Sequence, residues 1–157
     1  MAKAREVKLR RDMPYAEAAA RTVRVRAREL FAHAEGVLDT DDIERVHDMR
    51  VATRRLRAAL EVFEPCFEPK AFKRALKEVK KLADALGARR DPDVHIEEMG
   101  ALARELGVAG ADGVKALMAR LAAEQDEGND VLAKALDRAR DRGLAERLEA
   151  LADGVVP

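Results

Sequence analysis

One cysteine, Cys66, stands in a chain of 157 residues. No disulfide can form within the chain, and a reducing cytosol is its simplest home, so a cytoplasmic location is expected. Aromatic residues make up 3% and tryptophan is absent, which argues against a base-stacking platform for single-stranded nucleic acid. No stretch approaches the ~18 consecutive apolar residues of a membrane span. The charged run from Met1 to Arg11 lacks the apolar segment of a secretory signal. Isoleucine occurs twice and strand-like alternation is missing. Also missing are a P-loop, a nucleophile elbow and a glycine-rich phosphate cradle.

What the chain does contain is helix formers and charge. Hydrophobic residues at 48% and charged residues at 38% can fill a core and coat it, which excludes a disordered polyelectrolyte, and the length favours one domain. Lysine and arginine balance aspartate and glutamate at 30 each, but the balance hides a segregation. Residues 43–90 carry 13 basic and 7 acidic side chains, whereas residues 91–157 carry 8 and 15. A basic middle and an acidic last third bear on partners rather than on fold.

The dominant period is helical. Pro14 suits a first helical position, and Ala16, Ala20, Val23, Ala27, Leu30, Ala34 and Val37 recur at three- and four-residue spacing up to a stop at Gly36. Asp39, Asp41 and Asp42 offer N-caps for a second helix with Val46, Met49, Leu56 and Leu60 inward, ended by Pro65. A third helix opens at Pro69, buries Phe72, Leu76, Val79, Ala83 and Leu86, and is expected to stop at Gly87. A turn over 87–91 then leads to Pro92 and a fourth helix with Met99, Leu102 and Leu106 inward. Past Gly107, Gly110 and Gly113 a long helical pattern runs from Val114 to about Arg140, weakened at Gly128 and Asn129. A short helix over 144–152 follows. The expectation is an all-α antiparallel bundle of about four main helices plus C-terminal helices. It would occupy residues 14–153, between a basic arm (1–13) and a short tail (154–157).

Three helices carry basic rows. At about 100° per residue, His47, Arg50, Arg54, Arg57 and Glu61 share an arc of about 80° beside the buried stripe of the second helix. Lys70, Lys73, Lys77 and Lys80 do the same on the third, and Arg21, Arg24 and Arg28 on the first. Rows of charge on helices are ordinarily solvated faces laced by i,i+4 pairs of opposite sign. These rows hold few acids, and like charges at such spacing repel. Three rows in phase therefore favour a shared groove for an elongated polyanion, because phosphates accept charge-assisted hydrogen bonds from guanidinium and ammonium groups.

His47 opens the second-helix row and can serve as a donor when protonated or a metal ligand when neutral. His95, four residues before Met99, is expected to be packed or capping, and His33 to lie at the surface. Without a motif such as H-E-x-x-H these give a weak metal signal, and no metal or cofactor is expected. Cys66 has no base beside it, and Asp91 and Asp93 read first as helix-start residues. Arg90, in the expected turn, would reach the mouth of the groove. Two alternatives use His47: a histidine phosphoacceptor and a metal-binding helical module. Nucleic acid shares the electrostatics but not the aromatic platforms.

The run Val46-His47-Asp48-Met49-Arg50-Val51-Ala52-Thr53-Arg54-Arg55-Leu56-Arg57 resembles the signature of the CHAD domain, the conserved histidine α-helical domain. A second signature follows it in Lys80-Lys81-Leu82-Ala83, Leu86-Gly87, Arg90-Asp91 and Asp93-Val94. The resemblance implies a helical, non-enzymatic binder of inorganic polyphosphate, found alone or fused to triphosphate-handling CYTH domains and in some members associated with polyphosphate granules. It matches the motif histidine to His47, the motif arginines to Arg50, Arg54, Arg55 and Arg57, the lysine to Lys80 and the turn pair to Arg90 and Asp91. Together with the row arithmetic the expected polyphosphate-binding set is His47, Arg50, Arg54, Arg55, Arg57, Lys73, Lys77 and Lys80, with Arg24, Arg28 and Arg90 as outer contacts. Family members commonly carry a second homologous half, and no second motif occurs here. A shortened piece, a natural half-domain and a homodimer that rebuilds the two-fold arrangement all stand as readings.

Overall fold

Proline sets the first boundaries, though not always as expected. In the computed structural model, which describes residues 3–156, Pro14 is the N-cap and the first helix, α1, runs Tyr15–Ala32. The chain then turns through Gly36, whose φ of 69° is the left-handed conformation that costs glycine nothing. Helix α2 spans Ile43–Val62 and passes into a short 3-10 turn, Glu64–Cys66, that holds Pro65. Helix α3 opens at Pro69 and is capped by Glu68, whose carboxylate accepts the Lys70 amide at 2.9 Å and the Ala71 amide at 2.6 Å. Those two backbone hydrogen bonds hold the Glu68 carboxyl below its ordinary pKa. Helices α4 (Asp112–Asp141) and α5 (Leu144–Asp153) complete an all-helical chain. No strand occurs among the described residues, and no described helix is long and apolar enough to cross a membrane.

The expected break at Gly87 does not occur: α3 continues from Pro69 to Glu105 with Pro92 inside it. Proline lacks an amide, so the Ala88 carbonyl one turn back loses its helical donor. The α4 backbone lies directly against that point. A Cβ on Gly128 would stand 2.8 Å from the Ala88 oxygen and 3.0 Å from the Arg89 Cα. Gly128 and Asn129, which read as a weak spot in α4, are therefore a close approach between two backbones. Side chains fasten the crossing. Arg89 pairs with Asp93, and its Nε donates to Asn129 Oδ1 at 3.1 Å. Gln125 donates to Asp93 at 2.6 Å, and Asn129 donates to the Leu38 carbonyl at 2.8 Å. Tertiary packing against α4 thus overrides two local breakers in α3.

The hydrophobic core lies where α1, α2, α5, the first half of α3 and the second half of α4 meet. It includes Val23, Leu30, Met49, Leu56, Leu60, Phe72, Val79, Leu86, Leu132 and Leu148, with the single cysteine buried among them. No residue between Leu86 and Leu132 belongs to it among the described residues. The later part of α3 and the earlier part of α4 form a two-helix hairpin that packs mainly on itself, through residues such as Ala103 and Leu121. Leu102 and Leu106, expected to point inward, are exposed for that reason, and Met99 is half-buried. His95 is exposed as well, not packed. The continuous helix sets its phase with Lys77 and Ala88 instead of with a buried stripe.

Candidate functional site

The site is built from the shoulders of α2 and α3. Because α3 is unbroken, Lys73, Lys77, Lys80, Asp84, Ala88 and Asp91 share one arc of about 80° along it at 100° per residue. Facing them, α2 presents Arg50, Arg54 and Arg57. A cavity of about 420 Å³ opens between the helices. Its walls are Arg50, Val51, Arg54 and Arg57 from α2 and Ala83, Asp84, Gly87, Ala88 and Asp91 from α3. Gly87 and Ala88 leave this floor low. A Cβ on Gly87 would meet nothing within 4 Å, so the glycine clears space there instead of admitting a packed neighbour.

Glu61 joins the two rows. Its Oε1 accepts Arg57 Nε at 2.9 Å and lies 3.9 Å from Lys80 Nζ, so one exposed carboxylate bridges α2 to α3 at the end of the groove. Beyond it Lys73 and Lys77 stand exposed on α3. Arg50 and Arg54 are exposed, and neither they nor Lys73 and Lys77 have a carboxylate partner among the described residues. His47 is half-buried one turn before Arg50 and on the same side of α2. The arrangement can therefore offer two free guanidinium groups, two free ammonium groups and a bridged Arg57–Lys80 pair to an anion lying in the groove.

Four expected residues are not brought there. Arg55 faces α1, where its Nη1 donates to Glu29 Oε1 at 2.9 Å. Glu29, only 1% exposed, also takes Arg26 Nη1 at 2.6 Å and the Arg5 amide at 3.3 Å. Burial alone would raise its pKa. The Arg26 and Arg5 hydrogen bonds, with the charges of Arg26 and Arg55, more than offset that, and the carboxyl is held below its ordinary value. Arg24 and Arg28 point toward α5. Arg24 pairs with Glu149 at 3.0 Å and with Asp153, and Arg28 with Glu149 at 3.2 Å. Of the row on α1, Arg24 and Arg28 thus meet carboxylates of the acidic last third and Arg21 pairs with Glu17 on its own helix, and the row does not join the groove. Arg90 follows from the missing turn: it is half-buried on the helix, is not part of the groove wall, and its Nη1 is buried without a hydrogen-bond partner.

Sequence reasoning passed over Asp84, and it read Asp91 first as a helix-start residue and, by the resemblance, as half of a turn pair with Arg90. Both line the groove; Asp84 shares the lysines' arc whether or not α3 breaks at Gly87, and Asp91 joins that arc once α3 is drawn as one helix. Among the described residues no three histidine, cysteine or acidic side chains stand close enough to hold one metal ion, so the metal-binding alternative finds no ligand set there.

Fold and groove together define an all-helical module with an arginine-walled cleft between two helices. The family model described as CHAD domain matches residues 21–156, nearly the whole chain, and the protein belongs to that family. It is 39% identical over 70 residues to the uncharacterised protein Rv2226 of Mycobacterium tuberculosis, a match covering 42% of this chain and 14% of that one. Its fold is similar to that of PptA from Streptomyces chartreusis, with a TM-score of 0.69 and 17% identity. That likeness takes in 92% of this chain and 52% of the Streptomyces chain, so the protein spans about half the length of this structural neighbour.

Proposed function

We propose that the α2–α3 groove binds inorganic polyphosphate, as a ligand and without catalysis. The observation that carries this reading is the unpaired state of Arg50 and Arg54, on a wall that already holds Arg57. Cations spaced three and four residues apart repel one another, and an extended chain of phosphates relieves that repulsion while accepting hydrogen bonds from the guanidinium forks. Lys73, Lys77 and Lys80 extend the contact along α3, and His47 adds a donor when protonated. Membership of the CHAD family supports the same choice of anion over other polyanions. A cytoplasmic setting accords with the single cysteine being buried and unbridged.

Long-chain polyphosphate titrated at several salt concentrations tests the proposal. Each phosphate contact releases condensed counterions, so affinity should fall steeply as salt rises. Arg50→Ala with Arg54→Ala removes two charge-assisted contacts and should cost about a hundredfold in affinity. Arg24→Ala with Arg28→Ala should cost less than about threefold, since those side chains already have α5 carboxylates. Binding indifferent to salt, or unchanged in the Arg50, Arg54 variant, overturns the assignment.

A further inference from the structure

A second basic cleft lies on the other flank of α3. It has a volume of about 500 Å³ and is walled by Lys81, Leu82 and Ala85 from α3 and by Lys134, Ala135 and Arg138 from α4. Lys134 and Arg138 are one turn apart on α4, about 6 Å along its axis, and so share a face. Both are exposed, and neither has a carboxylate partner among the described residues. Two carboxylates line the cleft, Glu78 and Asp84, and Glu78 is shared between Lys81 at 3.5 Å and Arg142 at 3.0 Å. Lys81, Arg142, Lys134 and Arg138 are four cations against these two acids, so positive charge is in excess although the cleft belongs partly to the acidic last third of the chain.

The two clefts are neighbours. Asp84 and Ala88 line both of them, so only the shoulder of α3 separates the arginine wall on α2 from the cations on α4. Lys77 stands on that shoulder, and Lys81 follows it one turn on. A helix with its side chains is about 10–12 Å across. A linear polyanion seated against Arg50 and Arg54 therefore needs roughly one helix diameter of further chain to reach Lys134 and Arg138.

We infer that the α3–α4 cleft is a second subsite for the same anion, reached over the α3 shoulder by long chains and out of reach of short ones. The inference rests on the proposed polyphosphate binding. It adds a length preference, with Asp84, which lines both clefts, as a carboxylate on the path between them.

Tripolyphosphate and long-chain polyphosphate, each titrated against the wild type and three double variants, decide it. Lys134→Ala with Arg138→Ala should weaken long-chain binding about tenfold and lower its salt dependence, while tripolyphosphate binding stays within twofold. Lys115→Ala with Arg120→Ala, which removes the same charge from the hairpin, should change neither by more than twofold. Asp84→Asn should tighten long-chain binding. Long-chain affinity unchanged in the Lys134, Arg138 variant, or both ligands weakened equally, overturns the second subsite and leaves the first groove standing. Failure of the polyphosphate reading itself shows separately, as undiminished binding of both ligands in the Arg50, Arg54 variant.

Discussion

Arg24 and Arg28 on α1 have the same spacing as Arg50 and Arg54 on α2, and each pair flanks a buried stripe. Opposite α1, helix α5 brings Glu149 and Asp153, and the first pair is neutralised. Opposite α2, helix α3 brings lysines, Gly87, Ala88 and two carboxylates, Asp84 and Asp91, that line the groove without pairing with Arg50 or Arg54 among the described residues, and the second pair is left charged above open space. Spacing alone does not distinguish these outcomes, because the deciding carboxylates lie more than 120 residues away in the chain. Paired cations hold helices together. Unpaired ones keep their charge for a ligand and repel one another while they wait. The distinction predicts that stability and binding are separable, residue by residue.

The largest effect is expected where pairing is deepest. Arg89 and Asp93 are 0% and 1% exposed and fasten α3 to α4 across the Pro92 crossing. Asp93→Ala strands a buried guanidinium and should lower the unfolding free energy by about 3–5 kcal/mol in a urea titration. A loss below 1 kcal/mol would show that the crossing relaxes, and that burial of a pair is a poor guide to its structural weight here.

Glu29 comes next. Glu29→Gln removes the charge that Arg26 and Arg55 share and should cost about 2 kcal/mol, with the affinity for anions in the α2–α3 groove unchanged. The folded carboxyl titrates below its ordinary value of 4.5. Its stabilisation is therefore complete above about that pH and is lost as pH falls through the lower folded value. Wild type should lose stability to acid in that window more steeply than Glu29→Gln. Parallel acid profiles for the two proteins would remove Glu29 as the anchor of Arg55.

Much of this was legible in the chain. The inward set of α1 and α2, the start of α3 at Pro69 and the division of charge between middle and last third follow from periodicity, from proline's place in a first helical turn and from composition. The Glu68 cap of α3 does not follow from them, and Asp42 precedes α2 without a side-chain cap hydrogen bond. The arginine wall was legible too, as one face of α2. Two further things were not. Gly87 and Pro92 are local breakers, and only the α4 backbone, brought close by Gly128, makes their continuation in one helix intelligible. That single change moved Arg90 away from the groove mouth and brought Asp91 and His95 onto the groove's side of α3. Arg55 was likewise indistinguishable from Arg54 as a motif residue, but one step of 100° turns it to α1 and Glu29.

Glu61 stands between the two kinds of cation, since Arg57 and Lys80 are paired and yet lie on the binding face. All three side chains are nearly half exposed, so the bridge itself contributes less than about 1 kcal/mol to stability. Glu61→Gln should leave unfolding almost unchanged and free two cations for the anion, raising affinity for long-chain polyphosphate about threefold to tenfold. Lower affinity would mean that the bridge positions Arg57 and Lys80 for the ligand instead of competing with it.

The smallest effect is expected on the groove floor. If residues 87–91 formed a turn, alanine at position 87 would disturb it. Within an unbroken helix, and with nothing within 4 Å of the added Cβ, Gly87→Ala should raise stability by about 0.5–1 kcal/mol through the lower backbone entropy of the unfolded chain. The added methyl raises the groove floor without touching any cation. Polyphosphate affinity should therefore move by less than about twofold, because the charges on the walls carry the binding and the floor only makes room for it. A gain in stability accompanied by a large loss of affinity would reverse that order and make the depth of the groove, more than its unpaired arginines, the feature that selects the anion.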